Sequence, residues 1–125
     1  MDIEKQDNTK RICNILFGPS DAPEVAYKDC GMFLYTLAKS FSWKSTYVYY
    51  KTRESDTIWN QEFSSYVNTI CIGETSDYKK QIELAKIFLK EHIHEFDVIM
   101  FFNYGSTIWK LARYCKRLKP DIIVY

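Results

Sequence analysis

Six residues in two short stretches have the types and spacing to handle a polar or phosphorylated ligand. Lys28, Asp29 and Gly31 lie in YKDCGMF, ahead of a run with helical periodicity. Gly31 has no Cβ, so an anion could approach the N–H groups of a helix's first turn closely, and Lys28 would add a point charge. The alternative is that Gly31 only lets the helix pack tightly on a sheet. Asn103, Tyr104 and Ser106 lie in FFNYGST. The Asn103 amide and the Tyr104 phenol could hydrogen-bond a sugar hydroxyl or a leaving phosphate. Equally, Asn103 would cap a turn and Tyr104 would cover a sheet edge, with Ser106 as the N-cap of the next helix.

Other chemistries are disfavoured by what the stretches lack. Neither contains G-x-G-x-x-G, and no acidic residue ends the second strand to hold a ribose, so a dehydrogenase-type dinucleotide site is disfavoured. There is no G-x-x-x-x-G-K-[ST] and no G-x-S-x-G, which removes P-loop chemistry and leaves little for a hydrolase. The strand ends Ile15-Leu16-Phe17 and Met100-Phe101-Phe102 are apolar, unlike the acidic ends of a phosphoreceiver. His92 and His94 are two apart and point to different helix faces, so they cannot chelate one metal together. No metal site and no cofactor are expected. Cys13, Cys30, Cys71 and Cys115 are widely spaced, and three of the four sit in apolar surroundings. They read as reduced thiols of a cytoplasmic protein.

The elements that would position the two stretches alternate along the chain. RICNILF (11–17) is read as apolar on both faces, as a buried parallel strand would be. The loop from Gly18 to Asp29 leads to a helix over 30–41, for which Asp29 is a natural N-cap. Its face carries Cys30, Phe33, Leu34, Leu37, Ala38 and Phe41 at spacings of three and four. Strands follow over 45–51 and 67–73, the latter closed by a glycine turn. Between them lies an irregular crossover with one short helix around Trp59 and Phe63. The longest helix is expected over 76–93. A fully buried strand (97–102), a helix (106–118) stopped by Lys119-Pro120, and a strand (121–125) complete the pattern. Such alternation implies an α/β, Rossmann-like three-layer domain with a mostly parallel sheet of about five strands.

Bulk properties fit one domain spanning 11–125 behind a disordered lead-in of residues 1–10. The 125 residues are 46% hydrophobic and 17% aromatic, with ten Tyr and eight Phe. The net charge of +1, from 17 basic and 16 acidic residues, is no footprint of nucleic-acid binding. Lys110, Arg113, Lys116, Arg117 and Lys119 make the last helix basic. The plain reading is a solvated face, and the sharper one is contact with a membrane surface or an acidic partner. No apolar run reaches membrane-spanning length. DIIVY ends the sequence where a strand has just begun, which predicts further chain beyond it and an exposed apolar patch able to drive self-association.

Four segments together carry a family resemblance: the strand ICNILF before a long loop, the helix CGMFLYTLAKSF, the strand FDVIMFF, and the step CKRLKPDIIVY. They resemble the N-terminal, acceptor-side domain of a glycosyltransferase of the two-Rossmann-domain (GT-B) type, similar to the family-4-like retaining enzymes. That resemblance implies acceptor binding here and nucleotide-sugar binding mainly in a second, donor-binding domain, with this half inert alone. It would put backbone N–H groups near Gly31 beside the donor diphosphate. Many members place a His after the fourth strand, where this chain has Asn103 and Tyr104, so the role of that His does not carry over. The alternative expectation is a stand-alone flavodoxin-like module that binds a small ligand or a partner.

Overall fold

The computed structural model describes residues 9–18, 29–52, 59–102 and 105–125, and for Asp29 its backbone alone. Five strands, β1 (Arg11–Ile15), β2 (Lys44–Lys51), β3 (Val67–Glu74), β4 (Val98–Phe101) and β5 (Ile123–Val124), form one sheet. Among the described residues four helices connect them: α1 (Asp29–Phe41), α2 (Gln61–Tyr66), α3 (Tyr78–His92), extended by a 3-10 turn at Ile93–Glu95, and α4 (Ser106–Leu118). Every strand pairing is parallel. The strand order is β3-β2-β1-β4-β5. This is a Rossmann-like α/β fold. Flavodoxin-like sheets run in the order 2-1-3-4-5, with the third strand rather than the fourth beside the first.

Strand alternation divides the core into two layers. Cys13, Ile15, Val48, Ile99 and Phe101 face α3 and α4, where Ala85, Leu89, Leu111 and Cys115 meet them. Ile12, Tyr47, Val67, Val98 and Met100 face α1 and α2, against Cys30, Leu34 and Phe63. Each fully buried Leu or Ile contributes roughly 1.5–3 kcal/mol relative to remaining exposed. On the α1 face the stacked pair Trp59 and Phe63, 5.5 Å between centroids, closes over Tyr47. The expected short helix is therefore present, capped by Asn60, whose side chain accepts hydrogen bonds from the N–H groups of Glu62 and Phe63. Lys39 reaches from α1 to Glu62 of α2 at 3.2 Å and to the Tyr35 hydroxyl at 3.1 Å, two hydrogen bonds that hold its ammonium up to about 12.

At the amino end of the sheet, β1 and β4 are pinned together. The Arg11 guanidinium donates to both carboxylate oxygens of Asp97 at 3.2 Å, and the Arg11 N–H donates to Asp97 at 2.9 Å. The Asp97 N–H donates in return to the Arg11 carbonyl at 2.8 Å.

Several local expectations are corrected. Gly73 closes no turn: it lies within β3, and a Cβ built on it would come 2.5 Å from Leu84 Cδ1, so the glycine serves close packing of α3 on the strand. The long helix starts two residues later than the periodicity implies, because Asp77 acts as its cap and accepts from the Lys79 N–H at 3.1 Å. Helix α1 already includes Asp29, so that residue is its first turn rather than the residue before it. The first helix ends through Ser42, which takes φ 59° while the Trp43 N–H donates to the Leu37 carbonyl at 3.1 Å. This wrapped C-terminus normally selects glycine. No helix among the described residues is long and apolar enough to cross a membrane.

Candidate functional site

Strand order reverses between β1 and β4, and the register sets Ile15 beside Phe101 at their carboxyl ends. The chain leaves β1 towards α1 and leaves β4 towards α4, so both candidate stretches spring from adjacent strands. In open parallel sheets this crevice is the usual ligand position. Each connection contains a glycine with a left-handed backbone, Gly18 at φ 119° and Gly105 at φ 129°, and neither has an atom that would meet a Cβ. The two glycines are there for backbone conformation rather than for close approach.

The first connection is anchored by a side chain from across the sheet edge. Gln81, fully buried on α3, accepts a hydrogen bond from the Gly18 N–H at 2.8 Å and donates to the Gly18 carbonyl at 3.0 Å. Its amide also donates to the Thr75 carbonyl at 2.9 Å. The Tyr50 hydroxyl donates to the Gln81 backbone carbonyl at 2.5 Å, and burial pushes that phenol well above its ordinary range. Beneath lies an aromatic floor in which Phe17 meets Tyr50, Tyr78 and Phe101 at 6.0, 6.0 and 6.2 Å. The loop therefore departs from a rigid base.

The polar feature of the crevice is Asn14. It sits on β1 one residue before the strand ends, between Tyr47 and Met100, and is completely buried on the α1 face. Among the described residues, neither its Nδ2 nor its Oδ1 has a hydrogen-bond partner. Leaving a buried amide unpaired costs about 1–3 kcal/mol, and such groups are rare in folded proteins. On the same face, among the described residues, the indole N–H of the half-buried Trp59 is also without a partner, and the Tyr47 hydroxyl meets the Cys30 thiol at 3.8 Å. Burial raises the Tyr47 phenol far above its usual value, so it remains a neutral donor.

Of the six predicted site residues, Lys28, Asn103 and Tyr104 lie outside the described residues. Asp29 is placed at the start of α1, and its side chain lies outside the described part. Gly31 is buried in the first turn of α1. Ser106 is exposed and is not an N-cap. The cap position belongs to Gly105, with no side-chain cap hydrogen bond, and Ser106 is already the first helical residue. A small residue with φ 129° is needed to turn the chain into α4, and that requirement displaced the serine by one position.

A scan against protein-family models found no match, and searches of curated proteins and of solved structures found none either. No family is thereby assigned.

The sequence reading missed Asn14 and Gln81. Asn14 was hidden in an apolar heptapeptide, RICNILF, where a lone polar residue on a strand with two buried faces was itself the signal. Gln81 lies in a helical stripe beside Ile82 and gave no comparable signal, because its partners are backbone atoms at Thr75 and, 63 residues away, at Gly18.

Proposed function

We propose that this chain is a Rossmann-like domain that binds a hydroxyl-rich ligand at the β1–β4 crevice, as the acceptor-side half of a sugar-transferring enzyme. The observation that carries the reading is the unpaired, fully buried Asn14 amide at the switch point. An amide offers donors and an acceptor together, the pairing that a sugar hydroxyl satisfies and that a metal ion or a hydrocarbon does not. The strand order further supports the two-Rossmann resemblance over the flavodoxin-like alternative. On this reading the first turn of α1, with Gly31, lies towards the donor diphosphate, and Ser106 at the start of α4 lies on the acceptor side. Asp29 joins the rim at the start of α1.

Among the described residues the crevice brings no nucleophile against a base, so the proposed role is binding and orientation. Transfer would pass through an oxocarbenium-like transition state with charge building on the leaving phosphate, and fixed N–H dipoles are suited to stabilise it.

The test is an amide-resolved NMR titration with a uridine-diphosphate sugar and with neutral oligosaccharides, in wild type and Asn14→Leu. Saccharide binding should shift the Asn14 side-chain signals and the Gly31 amide. Asn14→Leu should raise folding stability by about 1–3 kcal/mol, since it removes the unpaired amide, and should abolish the response. Response to mononucleotides or flavin mononucleotide without any response to saccharides would favour a plain nucleotide-binding module. Silence towards all of them would overturn the reading.

A further inference from the structure

Three polar groups on the α1 side of the sheet are held among aromatic rings with little to bond to. Asn14 on β1 is fully buried, and among the described residues its amide is unpaired. On the neighbouring strand the register sets Tyr47 beside it. The Tyr47 hydroxyl meets the Cys30 thiol at 3.8 Å, a weak contact because a thiol is a poor donor and acceptor. The Tyr47 ring in turn lies edge-on to Trp59, 5.6 Å between centroids. The Trp59 Nε1–H is buried with no partner among the described residues.

The neighbouring rings fix the indole. Trp59 stacks on Phe63 with 12° between planes and meets Tyr49 edge-on at 5.1 Å. A buried tryptophan N–H normally finds an acceptor, and phenylalanine would serve packing alone. Charge is missing from the same interior. The buried polar residues described are Asn14, Ser45, Thr46 and Gln81, none of them ionisable. Ser45 donates to the Leu34 carbonyl, and Gln81 is engaged at Gly18 and Thr75. The ion pair between α1 and α2, Lys39 with Glu62, stands at the surface, its side chains 48% and 64% exposed. An ionised group brought in beside Asn14 would lose its hydration and gain no counter-charge, whereas a hydroxyl exchanges its hydrogen bonds with water for equivalent ones.

We infer that the inner part of the crevice takes an uncharged sugar residue, and that Trp59 and Tyr47 contact it beside Asn14 and set its specificity. The inference rests on the reading of the crevice as a saccharide site and narrows it to neutral sugars. The Trp59 N–H only donates, so it suits a hydroxyl or ring oxygen. Tyr47 and the Asn14 amide both donate and accept, which completes the two roles of a hydroxyl. Aromatic walls with a few placed polar groups are the common make-up of a small-ligand site, and here the walls match the C–H faces of a pyranose. Uronic acids and sugar phosphates are rejected at this position because their charge would be left unpaired. A donor diphosphate is not, since it would lie at the first turn of α1, outside the aromatic cluster.

The probes are methyl glucoside and methyl glucuronide, which differ only in a hydroxymethyl against a carboxylate, and the corresponding galactose pair. Each is titrated into the full chain and followed by NMR at the Asn14 side-chain amide and at the indole N–H signals, with Trp43 and Trp109 as internal controls. A neutral glycoside should shift Asn14 and Trp59 and leave the controls in place, and its uronide should bind at least tenfold more weakly. Trp59→Phe keeps a ring against Phe63 and removes the N–H, and Tyr47→Phe removes one oxygen. Each should weaken neutral-glycoside binding at least tenfold, with the melting temperature of Tyr47→Phe unchanged. If Trp59→Phe loosens the packing, the indole shift in the wild type still decides. A glycoside that shifts Asn14 while the Trp59 indole is silent and both variants bind fully would overturn this inference and leave the saccharide reading standing. A uronide bound as tightly as its neutral partner would overturn the exclusion of charge. Silence of Asn14 and Trp59 towards every glycoside would overturn the saccharide reading, and this inference with it.

Discussion

Gln81 holds Gly18 with both ends of its amide, accepting from the glycine N–H at 2.8 Å and donating to its carbonyl at 3.0 Å. One side chain thus fixes the direction in which the chain leaves β1 for the crevice. Gln81→Leu keeps the buried volume but strands three backbone groups, at Gly18 and at the Thr75 carbonyl. The expected loss is about 2–3 kcal/mol by urea denaturation, with faster hydrogen exchange at the Gly18 amide. An unchanged exchange rate at Gly18 would show that the loop is held by something else.

The clamp between Arg11 and Asp97 predicts an acid-side loss of stability. Hydrogen bonds from the Arg11 guanidinium hold the Asp97 carboxyl below the usual aspartate range. A lowered folded value means that the stabilisation is fully present above the unfolded value of about 3.9 and fades as pH falls through the folded one. The two side chains are 39% and 31% exposed, so solvent screening limits the pair to about 1 kcal/mol. Asp97→Asn should lose that amount at pH 7 and nothing at pH 2, measured as the difference in urea midpoints from wild type. An equal deficit at both pH values would assign the effect to the backbone hydrogen bonds instead.

Ser42 is the described non-glycine residue with a positive φ, 59°, at the end of α1. Ser42→Gly should raise the melting temperature, by a gain of about 0.5–1 kcal/mol, because the left-handed conformation carries no Cβ penalty for glycine. Ser42→Val should do the reverse by at least as much. A neutral glycine variant would mean that the cap is loose in solution.

The four cysteines should separate by reactivity. Cys13, Cys30 and Cys115 are buried, while Cys71 is exposed on β3. Burial pushes the Cys13 thiol up and raises Cys115 to about 12, so both stay protonated. Ellman's reagent should titrate one thiol rapidly in the native protein, lost in Cys71→Ser, and the remaining three only on unfolding. Rapid reaction of two or more thiols would contradict the packing of α1 and α4 described above.

Much of the architecture was legible because it follows from periodicity. The stripe of Ile82, Ala85 and Leu89, and the unbroken apolar run of β4, each read directly as a helix and a buried strand. Lys119-Pro120 likewise marked the end of α4 at Leu118. The misses have a common physical cause. Asp77, Gly105 and Gln81 act through backbone groups whose positions depend on the assembled loops, and a side chain's letter does not reveal which orphan N–H it will meet. Gly105 shows this best, since the neighbouring serine has the better capping chemistry and the glycine has the only backbone able to take φ 129°. Asn14 was legible in principle, as a polar residue between the apolar Cys13 and Ile15 on a strand buried on both faces.

The central place of β1 also bears on how the chain comes to be folded. Its neighbour β2 follows after one crossover, but its other neighbour, β4, is distant: Arg11 and Asp97 are 86 residues apart. During synthesis β1, β2 and β3 can assemble while β4 is still unmade, with one long edge of β1 waiting. Closing so large a loop is slow, because chain entropy is lost before the contacts that compensate it form. Until Val98–Phe101 arrives, Ile12 and Ile15 present an unpaired apolar strand to other nascent chains. The interval in which this protein is most prone to aggregate is therefore set by the time taken to make and dock α3 and β4.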